Sequence, residues 1–203
     1  MVEGSHTTGL RFRRVDLHLH TPASADFDDR TASPEAIVAA AIEKGLAAIA
    51  VTDHNSGEWI DKVKAAALGR PLVVFPGVEI TCAGGRGGIH VIALLDTDCG
   101  RADVESLLSE LGFQPRDYGQ MTALVEKHLS DVISVIYKRG GLAVLAHANS
   151  TRGALNEMRG ERKRPAIPVW CGAEDGVEGW RACATPSGSR PAPRRARPSR
   201  RAA

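Results

Sequence analysis

The sequence predicts an α/β fold on a mainly parallel sheet, either open or closed into a barrel. Three observations point to it. Across the first 160 residues, stretches with the two-residue period of a strand alternate with stretches of helical period. The strand candidate Ala47–Thr52 is a continuous apolar run, as expected where both faces are covered. Histidines and carboxylates recur where the strand candidates end, the edge of a parallel sheet at which sites form.

Taken in order, Arg14 to His20 alternates strictly and reads as the first strand. Ser33-Pro34-Glu35 supplies a cap, a proline at the first helical position and an acid in the first turn. A helix therefore runs from Ala36 to Lys44 and closes at Gly45. After the second strand, Ser56 is placed to cap a helix whose Trp59, Ile60, Val63 and Ala67 share a face. Leu72–Phe75 and Ile89–Leu95 are the third and fourth strands. Helices follow near Asp103–Leu111 and Gln120–Arg139, the longer one with an apolar stripe from Met121 through Leu124, Val125, Leu129, Val132 and Ile133 to Ile136. Leu142–Ala146 is the fifth strand. The pattern stops near Arg164, which sets the expected organisation: a flexible N-terminus over 1–10, one domain over 11–164, and a poorly determined to disordered tail over 165–203.

Composition limits the function classes. With 43% hydrophobic and 25% charged residues, the chain has the makings of a packed core. No apolar run approaches the ~18 residues of a membrane span, and the first residues lack a signal-peptide core, so a cytoplasmic protein without a membrane partner is expected. The net charge of +2 conceals two unlike parts. Of the 26 basic and 24 acidic residues, the last 23 positions hold seven Arg and no acid, leaving 19 against 24 in residues 1–180. The body is acidic, which removes the case for a nucleic-acid-binding surface over the whole chain. Cys82, Cys99, Cys171 and Cys183 form no C-x-x-C pair and read as reduced thiols.

The histidines carry the functional signal. His18 and His20 lie two apart at the end of the first strand and so share a face, with Val15, Leu17 and Leu19 toward the helices. Asp16 has the same parity and is a candidate acceptor for an imidazole N–H. Asp53 and His54 end the second strand, Glu79 follows the third, His90 lies near the start of the fourth, and His147 follows the fifth. Asp26 falls in the loop after the first strand. Five of the seven histidines thus gather at one expected rim, leaving His6 in a polar terminus and His128 as a core histidine on the helical stripe. Imidazole and carboxylate donors without thiolate suit Zn, Mn or Fe, and a Glu can bridge two ions.

These residues stand in segments that resemble the PHP (polymerase and histidinol phosphatase) family of metal-dependent phosphoesterases. The resemblance rests on Asp16-Leu-His-Leu-His-Thr-Pro-Ala-Ser24, Ala48-Ile-Ala-Val-Thr-Asp-His-Asn55, Pro76-Gly-Val-Glu-Ile-Thr81, Ile89-His-Val-Ile92 and Gly141-Leu-Ala-Val-Leu-Ala-His147. The stretch from Thr52 to Trp59, with Glu157-Met-Arg-Gly160, is most similar to PHP domains fused to AAA-like, SMC-type ATPases, although no Walker A pattern is present. The resemblance implies a distorted (β/α)7 TIM-like barrel, of which about five βα units are present, with two or three divalent ions at its rim. By motif, His18 and His20 would hold one ion, and Glu79 would bridge it to a second held by His90 and His147. Asp26 and His54 would serve a third, and Asp53 would orient its neighbours. The implied chemistry is hydrolysis of a phosphoric ester by a metal-bound hydroxide, with His18, His20, Glu79 and His147 at the reacting centre. The implied substrates are phosphorylated small molecules, nucleotides or nucleic-acid ends, with an ATPase as partner.

One departure sets an expectation of its own. His147 is the last histidine, so the late Asp-x-His pair of the family is absent, and the change of composition after Arg164 suggests a truncated or frame-shifted copy. Other readings are a metal-binding remnant without catalysis, serving as a regulatory module, and a zinc amidohydrolase, which also begins with His-x-His but fits the Thr-Asp-His and Pro-Gly-Val-Glu segments less well. Specific nucleic-acid binding by Arg190, Arg194, Arg195, Arg197, Arg200 and Arg201 is not expected, because no aromatic residue lies among them to stack bases. No basic residue is placed well enough by spacing to name a phosphate anchor, and Arg86 and Arg152 are no more than guesses.

Overall fold

A computed structural model describes residues 12–84 and 88–148. The expectations for 1–10, 165–203, His6, Arg86, Arg152, Cys171, Cys183 and the tail arginines lie outside the described residues.

Nine principal elements follow one another: β1 (Val15–Leu19), α1 (Pro34–Glu43), β2 (Ala48–Val51), α2 (Ile60–Ala67), β3 (Val73–Cys82), β4 (Ile89–Leu94), α3 (Arg101–Leu111), α4 (Leu129–Lys138) and β5 (Leu142–Leu145). The strands form one sheet in chain order, curled into a half-barrel with the helices alternating along it. Ile49 and Val51 of β2 bury in a large cluster with Val38 of α1 and Val63 of α2. Ala50 between them belongs to a smaller cluster on the other face with Ile92, Leu94 and Ala146. That alternation is the strand period turned into two packed faces.

Local signals set several boundaries. The Ser33 hydroxyl accepts the Ala36 N–H at 3.2 Å, Pro34 opens α1, and the turn beyond its end uses Gly45 at φ 69°. Ser56 behaves differently from its expected role. Its hydroxyl accepts the Glu58 N–H at 3.2 Å in the preceding turn, and Trp59 occupies the cap of α2 without a side-chain bond. Ser56 is buried, so its hydroxyl serves the loop next to the site rather than the helix end.

The sheet departs from mainly parallel pairing at β3, which is ten residues long where four were expected. Its first half pairs with β2 in parallel, Val73–Pro76 against Ala48–Val51. Its second half, Gly77–Cys82, pairs antiparallel with β4, and β4 pairs antiparallel with β5. Pro76, which has no N–H to give a ladder, stands at the handover, and its carbonyl accepts the Leu95 N–H at 2.9 Å. The reversal of β4 brings its first residues to the edge where β1, β2 and β5 end. Glu79 therefore sits inside a strand and not after one.

The second difference lies before α4. The helix expected from Gln120 begins only at Leu129, and 119–125 runs as a strap of turns that ends in a bridge at Val125. Val125 donates to Thr81 O and accepts from Ala83 N–H, both at 2.9 Å, bridging beside β3. Met121 and Leu124 are exposed, so the apolar stripe is real only from Val125 onward. His128 is the exposed cap residue of α4 and not a core histidine. Backbone bonds to β3 outweigh helical propensity here, which is a weak preference.

Gly77 tests the handover. A Cβ there would lie 2.8 Å from Ala93 O and 3.0 Å from Thr52 Cγ2. Gly77→Ala should lower stability by ~1–3 kcal/mol, the usual cost of overpacking. An unchanged urea midpoint would contradict the close approach.

Candidate metal centre

The rim draws on all five strands: His18 lies on β1, Glu79 within β3 and His90 in β4, while His20 and Asp26 follow β1, His54 follows β2 and His147 follows β5. On β1 the pairing with β2 slips between Asp16 and Leu19, the mark of a bulge. Asp16 accepts the His18 backbone N–H at 3.1 Å across that slip. The bulge corrects the simple alternation. Asp16 pairs with Ile49, which faces the helices, whereas Leu17 packs with the inner cluster of Ala50 and Ile92. Asp16 thus supports the backbone that presents His18 and is not the acceptor for an imidazole.

Glu79 is the hub. Its side chain is 1% exposed, and both its oxygens are occupied by imidazoles. Oε2 lies 3.0 Å from His18 Nε2 and 2.9 Å from His20 Nε2. Oε1 lies 2.7 Å from His90 Nδ1 and 3.2 Å from His147 Nε2. The reversed β4 places His90 opposite Thr81, one diagonal step from Glu79. His147 reaches the same carboxylate from just past β5, where its φ of 30° takes the chain into the left-handed region.

A second carboxylate extends the cluster. Asp26 Oδ2 stands 2.9 Å from His20 Nδ1 and 3.6 Å from His54 Nε2. His54 Nδ1 is 3.5 Å from Glu79 Oε2, too far for a hydrogen bond, and is a buried nitrogen without a partner among the described residues. Asp53 does not join them. It is fully buried, accepting the Thr21 N–H and hydroxyl, each at 2.6 Å, and the Ser24 hydroxyl at 3.0 Å. Ser24 Oγ in turn accepts the His54 N–H at 2.9 Å. Asp53 therefore ties the turn after His20 to the backbone of His54. Thr21 and Ser24 escaped the sequence reading as framework residues, although both stand in the first motif segment.

Electrostatics follow from this packing. Burial disfavours the Glu79 carboxylate, but hydrogen bonds from His18, His20 and His90 overcome it and hold the group far below the usual carboxylate range. Burial likewise opposes a charge on His20, yet Glu79 and Asp26 raise it above the ordinary imidazole range. Burial pulls His54 down, and pushes Asp53 up against its hydroxyl and amide donors.

The donor set fits divalent cations. Three groups bring their donor atoms within 4.8 Å of one another: His18–His20–Glu79, His20–Asp26–His54 and His54–Glu79–His90. A neutral imidazole has one donor and one acceptor nitrogen, whereas both nitrogens of His20 face carboxylates. His54 Nδ1 is orphaned altogether. Ions would satisfy these lone pairs, and hard carboxylate with imidazole suits Zn, Mn or Fe. His147 touches Glu79 but lies in none of the three groups among the described residues. Below the rim, a cavity of about 270 Å³ is lined by Leu17, His18, Ile92, Val144, Ala146 and His147.

Fold and site together define a curled α/β sheet protein with a multi-histidine rim gathered on one carboxylate. The chain belongs to the PHP domain family, which it matches over residues 16–165. It is 36% identical over 81 residues to the 5'-3' exoribonuclease Rnm of Escherichia coli, a match covering 39% of this chain and 26% of that protein. It is 30% identical over 80 residues to the 3',5'-nucleoside bisphosphate phosphatase of Chromobacterium violaceum, covering 39% and 27%. The matched part thus spans about a quarter of each of these relatives. A solved amidohydrolase from Chromobacterium violaceum with bound sulfate superposes with a TM-score of 0.50 at 19% identity, over 66% of this chain and 67% of that one, and shares the fold.

Two outcomes test the centre. Asp53→Asn should weaken metal binding ~10–100-fold by freeing the turn that carries His20, the range typical of supporting residues. Isothermal titration with Mn2+ measures it, and an unchanged affinity would rule out the role given to Asp53. The second concerns pH. Metal requires neutral imidazoles, and His20 holds its proton above the ordinary value of 6.5 in the metal-free protein. Affinity for Mn2+ should therefore keep rising as pH is raised from 6.5 to 7.5, and a flat profile would contradict it.

Proposed function

We propose that the chain is a metal-dependent phosphoesterase, hydrolysing a phosphoric ester of a small molecule, nucleotide or nucleic-acid end at the Glu79 rim. One observation carries the reading: a single buried carboxylate shared at both oxygens by imidazoles, with overlapping donor groups on either side. Membership of the PHP domain family supports it, as do the names of its relatives, a nucleoside bisphosphate phosphatase and an exoribonuclease. Each of those names describes cleavage of a phosphate ester.

His18, His20 and Glu79 would hold one ion, His54, Glu79 and His90 a second, and His20, Asp26 and His54 a third. Bound Zn, Mn or Fe would supply an activated water and neutralise charge on the phosphoryl oxygens. The chain's own part is to keep the donors ready. Glu79 stays ionised, so it can bridge without first losing a proton. His54 is kept neutral by burial, as a ligand must be. Asp53, Thr21 and Ser24 lock the backbone so that His20 and His54 converge. His147 is the most exposed of the histidines around Glu79, which places it where a substrate would enter.

The test uses the full chain loaded with Mn2+ or Zn2+, assayed for phosphate release from p-nitrophenyl phosphate and nucleoside monophosphates. Release should vanish in His18→Ala and Glu79→Ala, stop on chelation and return with Mn2+. His128→Ala should leave it unchanged. A protein that binds the ions yet releases no phosphate would sink the reading and leave a metal-binding module.

A further inference from the structure

The strap at 119–125 and the residue that grips it have no part in the chemistry above. Asn55 is fully buried directly after His54, with φ at 47°. Few residues other than Gly adopt that left-handed region, and Asn is among those enriched there. Its backbone N–H donates to Glu79 O at 3.0 Å. Its side-chain amide donates twice to the strap, to Gln120 O at 3.0 Å and Ala123 O at 3.1 Å. The Oδ1 atom has no partner among the described residues, so both donor bonds fix the amide's orientation.

The strap is tied down on either side of that grip. Gly119 N–H donates to His54 O at 2.8 Å, and Gly119 O accepts the Ala25 N–H at 3.0 Å. Ala25 is the neighbour of Asp26. Gly119 has φ 75°, and a Cβ on it would run into Ala23 O. At the far end Val125 bonds to Thr81 and Ala83 beside β3. One segment thus links the loop of Asp26, the backbone of His54 and the strand of Glu79, and the Asn55 amide holds its middle.

We propose that Asn55 is a positioning residue: by clamping the strap it sets the spacing of the His20–Asp26–His54 donor group. Asp53 and Ser24 tie the start of the first loop to His54, and Gly119 adds a link further along, bonding the Ala25 N–H and the His54 carbonyl at once. If the strap lifts, Asp26 loses the tie beside it and its spacing from His54 loosens, while His18, His90 and Glu79 keep their positions on paired strands. This deepens the metal-centre reading and rests on it only for what the group binds.

Asn55→Asp and Asn55→Gly both tolerate the backbone angle, and both lose the clamp. Asp places a carboxylate against two carbonyls, whereas Gly leaves them unpaired. Ser33→Ala serves as control, because losing that cap costs ~1 kcal/mol of stability far from the strap. In full-length protein with Mn2+ alone, both Asn55 variants should bind one ion fewer per chain, or bind it ~10–100-fold more weakly. The control should match the wild type. In metal-free, 15N-histidine-labelled protein, the His54 ring signals should shift in the variants while those of His90 stay. Amide exchange at Gly119 should quicken at least about tenfold, the change expected where local opening becomes easier.

Folded variants with unchanged Gly119 exchange and unchanged His54 signals would overturn the proposal. So would an unprotected Gly119 amide in the wild type, a measurement that needs no variant to fold. Failure of the wild type to bind Mn2+ would instead strike the metal reading, and the metal-free signals would still decide the role of Asn55.

Discussion

Everything at this rim depends on keeping one carboxylate ionised with 1% of its side chain exposed. An isolated buried charge is costly, and the side chain would take up a proton unless donors surrounded it. Glu79 has those donors from β1, β4 and the turn after β5, segments that stand far apart in sequence. The requirement works both ways. The histidines converge because the carboxylate attracts their N–H groups, and the carboxylate stays charged because they converge. Removing either side leaves the other buried without a partner, so the centre is a cooperative unit and not a set of separable ligands.

The sheet makes this convergence geometrically available. Three strands run parallel toward the rim, and the ends of β1 and β2 alone would give His18, His20 and His54. The antiparallel β4 adds a histidine from its beginning, where a parallel strand would have placed His90 at the far end. Ten residues of β3 are needed for this, because it must finish its pairing with β2 before it meets β4. Pro76 and Gly77 stand at the change, one unable to donate and the other admitting a carbonyl where a side chain would not fit.

Around the donor groups lies a framework whose members stand outside all three of them among the described residues. Asp53 anchors the turn after His20, Asp16 supports the bulge under His18, and Asn55 holds the strap against His54. Each acts on backbone atoms. That is the economical way to orient a ligand, since a fixed backbone leaves an imidazole only two torsions to settle.

Much of this was legible in the order of residues. The alternation of periods established the α/β class, Ser33-Pro34 and Gly45 marked the ends of a helix, and histidines recurring at strand ends picked out all seven residues now found together. Those features are local, written in spacing and in the chemistry of single side chains. Tertiary structure decided the rest. The bulge that separates Asp16 from His18, the reversal of β4, and the strap in place of a helix after Gln120 all depend on which segments pair: β1 with β2, β4 with β3 and β5, Asn55 with Gln120 and Ala123. No periodicity encodes a partner sixty residues away. The sequence by itself determined which side chains carry the donor chemistry, and the folded chain decided which of their donor atoms stand within reach of one another, because that is a matter of distance.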